Sequence, residues 1–131
     1  MKRILIIEDD SDLQDIYKTM IGISIADVEV EQCINGQQGL EAVQREMPDL
    51  IILDLLMPVM NGEVFLENLR HKLNMKDVPV IVCSVNQNLA HKLFKEKLVN
   101  AVLHKIFSVE ELVRTVGKLI EVRPKGRPSG A

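Results

Sequence analysis

Four short apolar runs in this chain each end in a polar side chain that can take part in chemistry. The runs are residues 4–7 before Glu8 and Asp9, residues 50–53 before Asp54, residues 80–83 before Ser84, and residues 101–104 before Lys105. Short apolar runs bounded by turn signals predict strands that are buried on both faces. In an open parallel sheet, ligands bind in the crevice beyond the carboxyl ends of the strands. The sequence therefore predicts one site that combines three acids, a hydroxyl and an ammonium, which suits a divalent cation and a phosphoryl group.

The composition is that of one ordinary globular domain. The 131 residues are 47% hydrophobic and 27% charged, and this length is enough to bury a sizeable core. No apolar stretch approaches the roughly 20 residues that a membrane span needs, and residues 1–3 lead into the first strand without a signal-peptide pattern. We therefore expect a cytoplasmic protein without membrane contact. Cys33 and Cys83 are isolated and follow strand-like residues, so we expect buried thiols.

The charge is unevenly distributed along the chain. The last nine residues hold three of the 16 basic residues and no acid, so the first 122 residues carry 13 basic and 19 acidic residues. This acidic body argues against nucleic-acid binding by the domain. Residues 123–131 are rich in Pro, Gly and Arg and have no apolar periodicity. We predict a domain over residues 1–122, followed by a disordered basic tail or linker remnant over residues 123–131.

Strand-like and helix-like segments alternate five times, which predicts an α/β fold. Asp10 or Ser11 can cap a first helix, in which apolar residues recur at helical spacing: Leu13, Ile16, Tyr17 and Met20. Asn35 precedes a second helix, and Ser108 with Glu111 has the spelling of a capping box. Residues 28–31 alternate between apolar and polar, as a half-exposed edge strand should. The alternation predicts right-handed crossovers and a parallel sheet covered by helices on both faces.

The acids at the strand ends predict a magnesium site. Carboxylates held within a few ångströms repel one another unless a cation neutralises them. Ligands that are all oxygen, with room for water, suit Mg²⁺, and the absence of His or Cys nearby in the sequence argues against zinc. The alternative is that Asp9 or Asp10 only caps a helix and that Asp54 is a turn residue. That alternative requires two separate strands to end in acids by coincidence.

Asp54 is the best candidate for a nucleophile, because carboxylates can form aspartyl phosphates. Lys105 would neutralise charge on a phosphoryl group, and Ser84 would hydrogen-bond one of its oxygens. Each of these two residues is weak evidence alone, since a Lys after a strand is usually solvated and a Ser there is usually a helix cap. Their combination and their order along the chain carry the prediction.

This combination resembles the receiver domain of bacterial two-component response regulators. The resemblance covers residues 2 to about 121, and its motifs are residues 4–10, residues 53–58 followed by Asn61 and Gly62, Ser84, and Lys105. It implies a CheY-like fold, which is a flavodoxin-like, doubly wound (βα)5 sandwich. The five parallel strands of that fold lie in the order 2-1-3-4-5.

The resemblance also implies a function and a set of ligands. Asp54 would accept a phosphoryl group from a phosphohistidine on a histidine kinase or a histidine phosphotransfer protein. Asp9 would bind Mg²⁺ directly and Glu8 through water, while Asp54 and the backbone carbonyl of Leu56 would complete the protein ligands. Such a module is not an enzyme for external substrates, but it takes part in its own Mg²⁺-dependent phosphorylation and dephosphorylation.

The same resemblance implies an output surface formed by the fourth helix, fifth strand and fifth helix. Lys92, Lys95 and Lys97 give this surface a basic patch. The sequence does not identify the output partner, and it leaves open whether the chain forms a homodimer.

The chain departs from the family pattern at four positions. Ile106 replaces the usual Pro after Lys105, and Val102 replaces an aromatic residue that swings inward in many relatives. Val85 stands where Ala or Gly is favoured, and Leu56 flanks the predicted phosphoryl position. Of these residues, Val85, Val102 and Ile106 motivate an alternative function, an interaction-only receiver with little regulated phosphorylation. We also infer that Leu56 limits entry of the attacking water and so lengthens the life of the phosphate.

Two other functions are disfavoured by single features of the sequence. A phosphatase of the haloacid dehalogenase type needs a second Asp two residues after its nucleophile, where this chain has Leu56. A flavodoxin or nucleotide-binding function needs a Gly-rich phosphate loop after the first strand, and this chain has none there.

Overall fold

A computed structural model describes residues 1–57, 59–105 and 107–125 of the chain. Pro58, Ile106 and residues 126–131 lie outside the described residues. Within the described residues, seven strands form two sheets: β1 (Lys2–Ile7), β2 (Ile25–Ala26), β3 (Val28–Cys33), β4 (Leu50–Asp54), β5 (Val80–Ser84), β6 (Ala101–His104) and β7 (Arg123–Pro124). The helices are α1 (Ser11–Ser24), α2 (Gly36–Arg45), α3 (Gly62–Glu67), α4 (Gln87–Lys95) and α5 (Val109–Leu119), and α3 continues into a π-helical turn (Asn68–Lys72).

The five-stranded sheet is parallel and has the order β3-β1-β4-β5-β6. Without the two-residue β2 this is the order 2-1-3-4-5, so the predicted topology is confirmed. The three inner strands are buried on both faces because their central runs, residues 4–7, 50–53 and 80–83, consist of aliphatic residues with one thiol. β3, with its alternating pattern, lies at an edge as predicted. The ladder aligns Ile7 with Leu53, Asp54 with Cys83 and Ser84 with His104, so the carboxyl ends of these strands meet at one edge of the sheet.

Side-chain caps start the helices at the residues that follow the strands. Asp10, Asn35 and Ser108 cap α1, α2 and α5 as predicted, and the capping box of Ser108 with Glu111 is formed. Asn61 and Asn86 cap α3 and α4 in the same way. Each capping oxygen accepts a backbone N–H that the helix itself leaves unpaired.

The helices cover the sheet on both faces and create two hydrophobic cores. Residues of α2, α3 and α4 pack on one face, where Phe65 is fully buried. Residues of α1 and α5 pack on the other face, where the ring of Tyr17 stacks on Phe107 with their centroids 5.4 Å apart. Cys33 and Cys83 are free and buried, as predicted. Among the described residues, no helix is both long enough and apolar enough to cross a bilayer.

The orientation of α1 differs from the pattern that its apolar residues suggest. Its buried residues are Gln14, Tyr17 and Ile21. Ile16, which belongs to the predicted apolar pattern, is instead 46% exposed. The reason is that Tyr17 and Ile21 face the core and Leu13 and Met20 pack partly against it, which leaves Ile16 on the solvent side.

The start of the predicted tail also differs from the expectation of disorder. β7 pairs in antiparallel fashion with β2, and the N–H of Lys125 donates to the carbonyl of Ser24 at 2.9 Å. Arg123 forms an ion pair with Asp27. The composition of residues 123–125 did not predict this, because the pairing uses backbone groups and a single charge pair rather than an apolar pattern. Residues 126–131 of the predicted tail lie outside the described residues, and the domain boundary at residue 122 stays a prediction.

Candidate functional site

The carboxyl ends of the inner strands bring the predicted site residues together. The side chains of Glu8, Asp9 and Asp54 offer carboxylate oxygens that all lie within 4.8 Å of one another. Glu8 and Asp54 are buried at the ends of β1 and β4, whereas Asp9 is exposed. Ser84 ends β5 and is also buried. The cluster therefore has a buried floor of two acids and a hydroxyl, with one acid on the solvent side.

Lys105 is the cation that faces these acids. Its Nζ lies 3.0 Å from Oε1 of Glu8 and 3.2 Å from Oδ1 of Asp54. Burial alone would lower the pKa of Lys105, but the two carboxylates raise it above its usual value. Its backbone N–H donates to the carbonyl of Ser84 at 3.0 Å, which fixes the start of its loop against β5. Lys105 is thus held charged beside both buried acids.

The negative charge in the site exceeds what Lys105 neutralises. Burial, followed by the nearby carboxylate of Asp54, raises the pKa of Glu8 to about 8, and Lys105 opposes this shift only in part. Oε1 of Glu8 is buried and, despite its closeness to Lys105, has no hydrogen bond of acceptable geometry within the described part of the chain. A buried carboxylate oxygen in this condition fits the role of a metal ligand, since the protein itself does not compensate its desolvation.

The donor set of the cluster fits Mg²⁺. Its side-chain ligands are all carboxylates, and the exposed Asp9 leaves one side open to water. Mg²⁺ prefers oxygen ligands and keeps several waters, whereas structural zinc prefers Cys and His. The cluster contains neither of those residues. The predicted role of the Leu56 carbonyl stays a prediction.

Exposed aliphatic residues follow the strands that end in Asp54 and Ser84, and we call them the apolar rim. Leu56 is 61% exposed and Val85 is 63% exposed. The N–H of Leu56 donates to Oδ1 of Asp54 at 3.4 Å, so the backbone of Leu56 lies next to that carboxylate. Val59, which is also exposed, follows in the same loop.

Gly62 allows the loop after β4 to fold back onto the site. A Cβ at this position would lie 2.8 Å from Cα of Leu55 and 2.9 Å from the carbonyl oxygen of Asp54, which is too close for any side chain. The N–H of Gly62 donates to the carbonyl of Leu55 at 2.9 Å. The Asn61-Gly62 motif thus holds the loop after Asp54 in place, with Asn61 as the cap of α3.

Gln14 supports the site and was not identified from the sequence. Its buried amide nitrogen lies 3.1 Å from the carbonyl oxygens of both Ile6 and Glu8, and 2.5 Å from that of Cys33. It therefore ties the end of β1, which carries the acids, to the end of β3. The available signal was a polar residue three positions before Tyr17 and seven before Ile21, in the inward register of α1.

The remaining predicted residues lie around this centre. Ser84 Oγ accepts the N–H of Asn86 at 2.9 Å, and Val102 is half-buried against the core. Lys92, Lys95 and Lys97 are exposed on or just after α4. Ile106, the departure after Lys105, lies outside the described residues.

Comparison with known proteins identifies a family match. Residues 4–117 match the family described as the response regulator receiver domain. The DNA-binding dual master transcriptional regulator RpaA of Synechocystis sp. is 31% identical over 121 residues, which are 92% of this chain and 49% of that protein. The sensor histidine kinase TmoS of Ectopseudomonas mendocina is 32% identical over 126 residues, which are 95% of this chain and 12% of that protein. The chain spans about half or less of the length of these relatives.

Solved structures share the fold over nearly the whole chain. The response regulator TrrA of Thermotoga maritima, solved in complex with Mg²⁺-BeF, has a TM-score of 0.80 and 27% identity, and covers 92% of this chain and 100% of its own. The chemotaxis protein CheY4 of Vibrio cholerae has a TM-score of 0.81 and 25% identity, and covers 92% of this chain and 99% of its own.

Proposed function

Because the chain belongs to the response regulator receiver family, we propose that Asp54 is its phosphoacceptor in two-component signalling. The observation that supports this role is the position of the Asp54 carboxylate, which lies 3.2 Å from Lys105 and beside two further acids at the carboxyl edge of the sheet. The donor is a phosphohistidine on a histidine kinase or a histidine phosphotransfer protein, and the setting is the cytoplasm.

In the transfer step an oxygen of Asp54 attacks phosphorus, and the bond from phosphorus to the donor imidazole nitrogen breaks. The electron pair of that bond stays on the imidazole, which takes up a proton from solvent. Lys105 is placed to neutralise a phosphoryl oxygen, because its Nζ already faces Asp54. The Asn86 N–H occupies one lone pair of Ser84 Oγ, and the hydroxyl proton remains available to a second phosphoryl oxygen.

Glu8, Asp9, Asp54 and the carbonyl of Leu56 are the residues that would hold Mg²⁺. When bound, the ion supplies positive charge that offsets the acids and the phosphoryl oxygens. The raised pKa of Glu8 supports this assignment, since it reflects burial and the neighbouring carboxylate of Asp54, and a cation offsets both.

The phosphorylated state changes contacts with a partner protein. We place the output surface on α4, β6 and α5, where Lys92, Lys95 and Lys97 form a basic patch that favours an acidic partner. Ser84 links the phosphorylation site to the output surface, because it ends β5 next to the cap of α4. Val102 has no ring to swing between two positions, so the change passes through the β5–α4 loop and its Ser84–Asn86 hydrogen bond.

The test is the intact mass of the protein after incubation with acetyl phosphate and Mg²⁺. We expect one added phosphoryl group in the unaltered chain and none in Asp54→Asn. Asp12→Asn is a matched control, because Asp12 is an exposed acid in the first turn of α1, and it should gain phosphate like the unaltered chain. Omission of Mg²⁺ should abolish the gain in all of them.

An interaction-only receiver is the second candidate, and the exposed Val85 at the rim of the site favours it. Under that function the chain gains no phosphate from acetyl phosphate or from a phosphorylated histidine-containing donor. Phosphate gained from the protein donor alone supports a phosphoacceptor whose rim excludes small donors.

A further inference from the structure

Arg70 is a buried cation outside the candidate site, in the π-helical turn that follows α3. Only 4% of its surface is exposed. Burial lowers the pKa of Arg70, and the charge of Asp77 offsets this shift only in part. The hydrogen bonds that the guanidinium donates end on carbonyl and amide oxygens rather than on carboxylates. Because an apolar side chain of similar volume would avoid the cost of burying a charge, the role of Arg70 lies in the groups that it holds together.

The guanidinium joins two loops at the amino-terminal end of the sheet. Its Nη1 donates to the carbonyls of Met75 and Val78, at 2.9 and 2.8 Å, in the loop that leads into β5. Its Nε donates to the carbonyl of Leu98 at 3.1 Å, and its Nη2 donates to Oδ1 of Asn100 at 3.3 Å. Leu98 and Asn100 lie in the loop between α4 and β6. We call Arg70 with these four acceptor residues the Arg70 clamp.

Asn100 extends the Arg70 clamp to the first residue of β5. Its Oδ1 also accepts the N–H of Val80 at 2.9 Å, and its own N–H donates to the carbonyl of Val80 at 2.8 Å. Both backbone groups of Val80 are thus bonded to one residue of the α4–β6 loop. This loop is therefore attached to the turn after α3 through Arg70 and to the sheet through Asn100.

The carboxyl end of α4 runs directly into this loop. Lys97 has a φ of 62°, in the left-handed region, and its N–H donates to the carbonyl of Phe94 at 3.0 Å. The N–H of Leu98 donates to the carbonyl of Leu93, also at 3.0 Å. Helices commonly end in this way, with their last carbonyls satisfied by the turn that follows. Since Leu98 is bonded both to the helix and to Arg70, the Arg70 clamp holds the last turn of α4.

The amino end of α4 is held by shorter-range contacts. Oδ1 of Asn86 accepts the N–H of Leu89 at 3.0 Å, and the N–H of Asn86 donates to Oγ of Ser84 at 2.9 Å. These bonds connect residues two or three positions apart, whereas the bonds from Arg70 to the α4–β6 loop connect residues 28 and 30 positions apart. The two ends of α4 therefore differ, because one is tied to two other elements and the other depends on Ser84 in the site.

We propose that the Arg70 clamp is a fixed pivot for α4, so that phosphorylation of Asp54 moves the amino-terminal half of this helix and leaves its last turn in place. The inference rests on the proposed function, because its input is the change in the Ser84–Asn86 hydrogen bond when Ser84 binds a phosphoryl oxygen. Arg70 is then a positioning residue, which acts on the switch through Leu98 and not through contact with the phosphoryl group.

A pivot at one end divides the output surface into two parts. With nine residues, α4 is roughly 14 Å long at 1.5 Å per residue, so a small tilt about its last turn displaces its first turn most. The moving part surrounds the exposed Asn88 and His91, and the fixed part surrounds Lys97. A partner that distinguishes the two phosphorylation states has to contact the moving part.

The experiment is residue-resolved amide hydrogen exchange of the full chain, with and without beryllofluoride and Mg²⁺. TrrA was solved in complex with Mg²⁺-BeF, and beryllofluoride here stands for the phosphoryl group on Asp54. We expect it to change the exchange rates of Leu89 and Ala90 by about two- to tenfold, the effect of one hydrogen bond gained or lost. The rates of Glu96 and Leu98, whose N–H groups bond within the last turn of α4, should stay the same.

Two variants release the pivot by different routes. Arg70→Lys keeps the charge but offers one ammonium in place of the guanidinium fork, and Asn100→Ala removes the oxygen that joins Arg70 to β5. In both, beryllofluoride should change exchange at Glu96 and Leu98 as well, by about two- to tenfold. Arg114→Lys is the matched control, because Arg114 is exposed on α5, and it should respond like the unaltered chain. Asn100 is itself exposed, so Asn100→Ala decides the test if circular dichroism shows that Arg70→Lys does not fold.

Three exchange patterns overturn the pivot. Equal changes at both ends of α4 in the unaltered chain would mean that the helix moves as one body. A change confined to the amino-terminal half in both variants would mean that other contacts hold the last turn. Faster exchange at Glu96 and Leu98 in the variants, to the same degree with and without beryllofluoride, would limit the Arg70 clamp to stability.

Intact mass after treatment with acetyl phosphate separates this inference from the proposed function. Phosphoryl gain without any change in exchange at Leu89 and Ala90 overturns the pivot alone. A chain that gains no phosphoryl group and does not respond to beryllofluoride contradicts the proposed function, and the pivot fails with it.

Discussion

The two ends of β1 carry opposite kinds of charge cluster. Near its start, Arg3 is buried but makes ion pairs with three acids that are at least partly exposed: Glu29, Glu31 and Glu46. Burial tends to raise the pKa of Glu31, yet Arg3 and Arg45 lower it below its usual value. At the end of β1, Glu8 is itself buried beside a second acid, and its pKa is raised to about 8.

The difference lies in which partner is buried and in what surrounds it. Around Arg3, acids that reach water neutralise the charge of one buried cation. Around Glu8, one Lys faces two buried carboxylates, and the remaining negative charge favours the binding of a further cation. A buried cluster that is not balanced by its own residues indicates a binding or reaction site, whereas a balanced one indicates a structural role.

We expect the largest effect from removal of the cation at each end of β1. Lys105→Met should slow phosphate gain from acetyl phosphate by on the order of 10²–10³-fold, since a preorganised charge at the reacting group is lost. Arg3→Met should leave that rate unchanged but lower the free energy of unfolding by about 1–3 kcal/mol, because acids at the edge of β3 lose their partner. Timed intact-mass measurements and urea unfolding of both variants give these values. Similar phosphate rates in the two variants would contradict the assignment of the two ends.

The pH dependence of stability should have opposite signs at the two ends. Because the folded pKa of Glu8, about 8, exceeds its ordinary value of 4.5, its contribution is fully present below pH 4.5 and is lost as the pH rises through about 8. In Mg²⁺-free buffer, Glu8→Gln should therefore remove a decline in stability between these values. At pH 8 it should stabilise the protein by about 1–3 kcal/mol, the usual cost of an uncompensated buried group.

Glu31 supplies the matched control for this pH dependence. Its folded pKa is lowered, so its contribution is present above its ordinary value of 4.5 and is lost as the pH falls through the lowered one. Glu31→Gln should lower the free energy of unfolding at neutral pH, which is the reverse of the effect of Glu8→Gln. Urea unfolding at several pH values compares the two, and a stability curve of Glu8→Gln parallel to that of the unaltered chain would refute the charge excess.

Gln14 sharpens the comparison, because it fixes the backbone of the acidic end without adding charge. Gln14→Leu should weaken Mg²⁺ binding by about tenfold, as loss of a residue that orients metal ligands commonly does. The variant keeps the bulk of the side chain but frees the carbonyls of Glu8 and Cys33. Calorimetric titration with Mg²⁺ measures the affinity, and Gln37→Leu on the exposed face of α2 is the control. Equal Mg²⁺ affinities in Gln14→Leu and Gln37→Leu would mean that Gln14 contributes to stability alone.

The apolar rim gives a smaller effect at the same end. Leu56→Asn should shorten the life of the aspartyl phosphate by about three- to tenfold, since exclusion of water worth roughly 1 kcal/mol is lost. Phosphate release timed after labelling measures this lifetime. Leu56→Met keeps an apolar side chain at this position and should release phosphate at the unaltered rate. An unchanged lifetime in Leu56→Asn would remove the idea that the rim excludes water.

Much of this arrangement could be predicted from the sequence, because strand ends and caps are local signals. The aliphatic runs before Glu8, Asp54 and Ser84 identified the strands, and their parallel order placed these residues at one edge. The inward face of α1 was not predictable, since apolar residues extend over more than one side of this helix and only tertiary packing decides which of them are buried. Gln14 was missed for the same reason. The β2–β7 pair was missed because backbone pairing leaves no side-chain pattern.

The β2–β7 pair offers the smallest effect, and it tests whether exposure or charge decides the importance of a cluster. Arg123 and Asp27 form an ion pair there, but both side chains are largely exposed, at 77% and 58%. Arg123→Ala should change the free energy of unfolding by less than about 1 kcal/mol and leave phosphate gain unaltered, because water screens the pair. Urea unfolding of Arg123→Ala and Arg3→Met compares the two positions, since both variants remove one arginine from the amino-terminal end of the sheet. A loss as large as that of Arg3→Met would mean that the charge pair, and not burial of the guanidinium, sets the stability of that end.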